Sequence, residues 1–296
     1  MVQPVKQDGW AIVAAAFVGV QVGAATVASR FALTEMDAAT LGAFRYAIGV
    51  LVLFPVLVMS IRVRFQRSDI LPIMLLGLLQ FAGLVTLLNI ALTLLPAARV
   101  ALVFSTFPLL TMLIGRILGR EIFSVWKVVG VLLTFIGVAI VLSDKLVAWD
   151  GFASMAGDTY ALAAAFCGAI CSVLYRPYVT KYSPLAVGVF SMATSAIALA
   201  GVAWLLGGFG GVGRITTNVW AATIFVGVSS GAGFWSLLWA FARAAPTRVV
   251  VFQALAPVVA TALGVLLLDE PLEARFMFGL AAVCLGIAVA HRDVNA

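Results

Sequence analysis

Charge is what this chain has least of. Of 296 residues, 10% are Asp, Glu, Lys or Arg, against about 25% in a soluble domain. Its 18 basic and 12 acidic side chains are too few to cover a water-soluble surface of this size. Histidine occurs once, at His291, and cysteine three times. Cys167 and Cys171 share a helix face at i, i+4, but the further ligands of a metal centre are missing, and a disulfide between such neighbours is geometrically poor. Both read as packed thiols. His291, at the edge of the last apolar run, cannot serve a buried serine, so no Ser-His-Asp set can assemble. The G-x-x-x-x-G-K-[ST] phosphate loop is absent, which excludes a nucleotide-driven pump within the chain. No enzyme chemistry, metal or cofactor is expected.

What the chain has instead is apolar length. It is 64% hydrophobic, with mean hydropathy +1.17. Runs bounded by charge or turn residues give ten candidate helices, at 10–31, 39–60, 70–95, 98–117, 122–143, 157–176, 184–206, 218–242, 246–268 and 272–291. Each is near the ~20 residues that cross hydrocarbon. The fold class is therefore all-α and polytopic, embedded in a lipid bilayer. The most flexible connection is expected at the glycine-rich 207–213. A net charge of +6 raises nucleic acid as a partner, but the cations are scattered between apolar runs and form no patch. Topology explains them better. With both termini cytoplasmic, Lys6, Arg62, Arg64, Arg67, Arg116, Arg120, Lys127, Arg176, Lys181, Arg243, Arg248 and Arg292 fall inside. Only Arg30, Arg45, Arg99, Lys145, Arg214 and Arg275 fall outside.

The segment RVALVFSTFP, Arg99 to Pro108, returns as RVVVFQALAP, Arg248 to Pro257, at an offset of 149. The same offset pairs Gly115 with Gly264, Glu121 with Glu270, Gly130 with Gly279, Gly137 with Gly286 and Asp144 with Asp293. Apolar helices resemble one another by chance, but matched Arg, Pro, Glu and Gly at one offset point to duplication. The halves are 1–148 and 149–296, with five spans each. Five is odd, so the second half enters the membrane from the opposite face. Inverted repeats of this kind build many secondary transporters.

The run ALTLLPAARVALVFSTFPLLTMLIGRILGREIFSVWKVVGVLLTFIGVAIVL and its echo through VLLLDEPLEARFMFGLAAVCLGIAV resemble the repeat of the drug/metabolite transporter superfamily, the EamA-type transporters. Glu121 and Glu270 match the acidic residue after the fourth and ninth spans. Gly130, Gly137, Gly279 and Gly286 match the glycines of the fifth and tenth. Arg45, in LGAFRYAIG, stands where the family often has an arginine, whereas the second half has Thr194 in that slot. The likeness covers essentially the whole chain. It implies export of small metabolites from the bacterial cytoplasm across the inner membrane, with the aromatic amino-acid exporters the favoured branch.

All twelve acidic residues lie at span ends or in loops. Carriers coupled to protons or sodium commonly bury a carboxylate at the midplane, so facilitated export is expected. That leaves a neutral, polar-lined cavity for a small-molecule substrate. Its candidate residues are Gln21, Gln80, Ser105, Thr106, Ser229, Ser230 and Gln253, any of which could instead bond between helices. Asn89 lies about 180° from Gln80 on an ideal helix and should face away. Phe104, Phe107, Tyr160, Phe166, Trp235 and Trp239 could clasp a flat substrate, while Trp126, Trp220, Tyr175 and Tyr178 read as interfacial belt residues. Pro108 and Pro257, near mid-span, are candidate hinges or static bends. Arg99 and Arg248, at span starts, either snorkel or gate. Gly115 with Gly119, and Gly227 with Gly231, form small-xxx-small pairs for close packing. A broad-specificity drug exporter is the alternative carrier, a lipid scramblase the alternative class, and a monomer the expected state.

Overall fold

The structure, a computed structural model, describes residues 9–60, 64–95, 100, 103–104, 106–119, 125–146, 151–268 and 274–292. Among the described residues the chain is helical throughout, without strands. In chain order, α1 is Gly9–Ala32 and α2 Ala38–Ser60. α3 is Arg67–Leu94, interrupted by π-helical Leu78–Gly83. α4 is Phe107–Ile117 and α5 Val125–Leu146. α6 is Gly151–Lys181, α7 Pro184–Leu205 and α8 Thr217–Phe241. α9 runs through Pro246–Val250, a 3₁₀ stretch Val251–Ala254 and Leu255–Leu268, and α10 is Ala274–Arg292. Six of these are long and apolar enough to cross a membrane, and four shorter apolar helices fall in the other four expected spans. Lipid offers no hydrogen bonds, so a spanning backbone must satisfy itself, and a helix does so whatever its residues' propensities in water.

The helix boundaries have local causes. Asp37 caps α2: its Oδ1 accepts from the amides of Ala39 and Thr40, both at 2.9 Å, which meets two of the orphan donors of a helix start. Pro184 opens α7, where a missing N–H costs nothing. Gly119, expected to pack, instead adopts φ 63° just beyond α4, the left-handed conformation that ends a helix. The glycine-rich connection has local structure of its own. Gly208–Arg214 forms 3₁₀ turns, and the Phe209 ring sits edge-on to Phe44 at 5.9 Å.

Pro257 falls at the middle of α9, and both prolines open a regular helical segment. Pro108 occupies the first turn of α4. Pro257 occupies the first turn of the long segment of α9, directly after its 3₁₀ stretch. Proline denies the carbonyl four residues earlier its partner and crowds it. For Pro257 that carbonyl belongs to Gln253, inside the 3₁₀ stretch.

The packing follows a two-fold rule. Under the 149-residue offset, α1 to α5 correspond to α6 to α10. The contact of α1 with α8 has its counterpart in α6 with α3; α1 with α9 in α6 with α4; and α2 with α8 in α7 with α3. α2 pairs with its own equivalent α7, and α5 with α10. The last pair fixes the sense of the relation. A Cβ at Gly137 would meet the Gly279 carbonyl at 2.8 Å, and one at Gly286 the Gly130 carbonyl at 2.6 Å. The contact is reciprocal and antiparallel, as two inverted copies require. The expected junction between residues 148 and 149 lies outside the described residues.

The helices alternate between two ends. Gly9, Ser60, Arg67, Lys181, Pro184, Phe241 and Pro246 mark the near end, which carries the start of α1; Ala32, Ala38, Leu94, Leu205 and Thr217 mark the far end. The main core, including Tyr46, Phe81, Tyr175, Met192 and Phe241, runs between them. Tyr175, expected in an interfacial belt, is 1% exposed and donates to Ser191 Oγ at 3.0 Å. Its position inside the near end of α6 turns it toward α7 and not outward.

The glycine crossing gives a stability test. Gly286→Ala places a methyl against backbone that cannot move aside, and is expected to cost about 1–3 kcal/mol, read as a lowered thermal midpoint in detergent. Gly201→Ala, with nothing within 4 Å, should hold or raise it.

Candidate functional site

A cavity of about 810 Å³, its open mouth included, lies where α1, α2, α3, α8 and α9 converge with the start of α4. Its lining extends from Leu237, about one turn from the near end of α8, through Gln80 at mid-bundle, to Ser29, Asn89 and Leu92 toward the far end.

Gly19 and Gly23 let α1 lie against the backbone of Phe252 and Ala256 in α9. Gly49 of α2 and Gly231 of α8 also pack against each other, less tightly, with a Cβ at Gly231 meeting the Gly49 carbonyl at 3.0 Å. These contacts place Gln21 between α8 and α9, where it is 8% exposed and its Nε2 donates to Ser229 Oγ at 3.3 Å. The Gln21 amide fills the space left by the absent side chain of Gly233. From α2, Arg45 Nε donates to Ser230 Oγ at 2.6 Å, and its guanidinium lies 5.7 Å from the Tyr46 ring centre. From α9, Gln253 enters on the 3₁₀ stretch, and its buried Oε1, like Ser29 Oγ in α1, has no partner among the described residues. The walls are aromatic. Tyr46 meets Phe81 edge-on at 4.7 Å, Phe81 meets Phe234 at 4.2 Å, and Phe104 stacks on Phe107 at 5.5 Å.

Of the residues expected from sequence, the structure brings Gln21, Gln80, Phe104, Ser230 and Gln253 to this cavity, and Ser229 to within one hydrogen bond of it. Tyr160, Phe166 and Trp235 are 36%, 48% and 40% exposed and do not line it. Ser105 and Arg99 lie outside the described residues, as do Glu121 and Glu270. Thr106 bonds back to the Val103 carbonyl. Arg248 sits in the first segment of α9 with its Nε buried and unpartnered.

Two expectations are corrected. Arg45, counted with the outer-side cations although it falls within the expected span 39–60, stands seven residues inside α2, about 10 Å at 1.5 Å per residue, and lines the cavity. The chamber is therefore not uncharged. The Asp37 cap sets the start of α2, and an Asp followed at three residues by Thr was the sequence signal for it. Asn89, expected to face away from Gln80, lines the cavity with it and donates to the Ala38 carbonyl at 3.2 Å. A π turn takes more residues per revolution than an α turn, so Leu78–Gly83 brings the two closer than half a turn. Thr26, Ser29 and Tyr46 were also missed.

Polar contacts tie the halves together at both ends. At the near end, Asp69 of α3 accepts from Lys181 Nζ at 2.7 Å and Tyr182 OH at 2.6 Å, and Gln66 Oε1 accepts from Lys181 at 2.6 Å. At the far end, Glu35 accepts from the amide and hydroxyl of Thr216, at 2.7 and 2.9 Å. Thr216 precedes the N-terminus of α8, where a carboxylate is favoured.

The sequence model of the EamA-like transporter family matches the chain twice, over residues 9–143 and 155–291. An uncharacterized transporter of Archaeoglobus fulgidus is 22% identical over 271 residues, covering 91% of this chain and 94% of that protein. The uncharacterized transporter YyaM of Bacillus subtilis is 23% identical over 274 residues, covering 90% and 89%. A crystal structure of a protein superposes with a TM-score of 0.75 at 24% identity, covering 94% of this chain and 98% of its own, a likeness of fold.

Gly233 offers a test of the cavity. A methyl there must displace the Gln21 amide, the movable end of a flexible side chain. Gly233→Ala is therefore expected to fold, with a thermal midpoint within a few degrees of wild type. It should lose about tenfold in substrate affinity, or ~1.4 kcal/mol, in a ligand-stabilisation assay.

Proposed function

The chain belongs to the EamA-like transporter family, and from that premise we propose that it is a secondary carrier exporting small metabolites, most of all aromatic or other neutral amino acids. It works by alternating access between the halves 1–148 and 149–296, as a monomer in the bacterial inner membrane with both termini cytoplasmic. The observation that carries this reading is the cavity itself: a mid-bundle chamber between corresponding helices of two copies, with polar groups among aromatic walls. The contacts at the two ends support it. Asp69 with Lys181 and Tyr182, and Glu35 with Thr216, each link the halves through surface groups that can part without exposing core. In alternating access one set opens while the other holds. Pro108, Pro257 and the 3₁₀ stretch that holds Gln253 are the points at which α4 and α9 would bend, and Arg248 stands near the start of α9, the slot that Arg99 fills in the first half of the sequence.

Among the described residues no carboxylate lines the cavity. This favours facilitated export over cation coupling and weighs against a cationic drug, whose desolvated charge needs a counter-charge. Purified protein in liposomes should equilibrate labelled phenylalanine without an ion gradient and show counterflow. A tenfold uphill gradient driven by pH alone would overturn the facilitated mechanism. Lipid scrambling without solute flux would replace the carrier reading.

Access is tested by cysteine labelling after Cys167, Cys171 and Cys284 are replaced. Cysteine at Gln80 or Gln253 should react from one side at a time, and substrate should change which side. Asp69→Asn, which weakens the near-end link, is expected to raise labelling of the Gln80 position from the near side several-fold. Equal reactivity from both sides in every condition would reject alternating access.

A further inference from the structure

We infer that the substrate carries a carboxylate and that Arg45, held by Ser230, is the residue on which it docks. The inference rests on the carrier reading above and narrows it. A guanidinium about 10 Å inside a membrane bundle is expensive unless something compensates its charge. Among the described residues the protein supplies only the Ser230 hydroxyl, at 2.6 Å from Nε, and the neighbouring Tyr46 ring. Neither is an anion. The two terminal NH₂ groups meet no protein acceptor among the described residues, and Arg45 lines the cavity. That fork is the geometry that pairs with a carboxylate through two parallel hydrogen bonds.

The other unpaired groups complete the specification. Ser29 Oγ and Gln253 Oε1 are buried, line the same cavity and lack partners among the described residues. An amide oxygen can only accept, so Gln253 calls for an N–H or O–H donor on the ligand. A cation-binding fork, an orphaned acceptor and aromatic walls at Phe81, Phe104, Phe107 and Phe234 together describe a zwitterion with an apolar side chain. The carboxylate goes to Arg45, the ammonium to the acceptors and the side chain to the rings. The duplication gives independent support. The slot equivalent to Arg45 holds Thr194, whose hydroxyl turns back to the Ser191 carbonyl at 3.0 Å. The scaffold therefore does not need a cation at that position, and Arg45 is tied to the cavity and not to the fold.

The competing role is a strap between α2 and α8. The test uses four ligands of one shape on full-length protein in detergent: phenylalanine, phenylalaninamide, 3-phenylpropionate and phenethylamine, with affinity read by ligand-induced stabilisation. Phenylalanine and 3-phenylpropionate are expected to bind at least about tenfold tighter than their partners lacking the acid. Arg45→Gln should abolish that preference, and Arg45→Lys should retain part of it. Should Arg45→Gln lower the melting temperature yet leave the acid-to-amide ratio intact, Arg45 is a strap and the inference fails. Preference for phenethylamine would overturn the inference while leaving a carrier. Preference for 3-phenylpropionate over phenylalanine would keep Arg45 as the docking point and overturn the amino-acid reading. If benzoate and inorganic phosphate, added as further anions, also fail to stabilise a folded protein that binds none of the four, the docking role is rejected.

Discussion

Inside a bilayer a polar group has only the protein to bond with, and the fold can be read as the working out of that constraint. The span hydroxyls largely obey it by turning back on their own helices. Thr26 bonds to the Val22 carbonyl, Thr111 to Phe107, Ser172 to Gly168, Thr223 to Val219 and Ser236 to Ala232. Against that background the exceptions carry information. Among the described residues, the buried polar atoms without a partner belong to Ser29, Arg248 and Gln253, and two of those three line one cavity. A fold that satisfies its hydroxyls nearly everywhere leaves acceptors open where a solute would sit.

The duplication separates scaffold from site. Where the halves agree, the matched residues build contacts: Gly130 and Gly137 cross Gly279 and Gly286, away from the cavity, and hold α5 against α10. Where the halves differ, the cavity acquires its chemistry. Gln21, Ser29, Arg45 and Asn89 correspond to Ile170, Tyr178, Thr194 and Leu238. Most of the polar lining thus comes from the first half, and the second contributes Ser230 and Gln253. A symmetric pore would present the same face to a solute from either side. On the proposed reading, this one would hold a solute in one orientation while the symmetric frame around it exchanges conformations.

The spans were legible because hydropathy is a one-dimensional signal and charges bracket each run. The repeat was legible because Arg, Pro and Gly do not recur by chance. What escaped were questions of phase and facing. Gln80 and Asn89 share the cavity because of a π turn, which depends on packing and has no simple sequence mark. Tyr160, Phe166 and Trp235 occupy spans as aromatic as the cavity walls, but lipid accepts an aromatic face as readily as a chamber does, so composition could not separate them. Arg45 already lay inside the expected span 39–60, but it was counted as a topology cation because hydropathy does not show which way a side chain in a span faces, and it is the one described charge that lines the cavity.

That charge bears on how the carrier turns over. An empty chamber with a bare guanidinium keeps its best compensation where water enters from an open mouth. Closing the mouth strips that water and makes the occluded empty state costly. A carboxylate bound at Arg45 replaces the lost hydration with a fixed partner, so occlusion is easier loaded than empty. On the proposed docking at Arg45, the residue that selects the solute would also discourage futile cycling. It would do so without a bound proton or sodium ion, which fits a cavity whose described lining holds no carboxylate. Stability and motion are assigned to different places. The glycine-lined crossing of α5 and α10 resists change, whereas the contacts that join the halves at the ends of the bundle are exposed and individually weak, as contacts that break in every cycle must be.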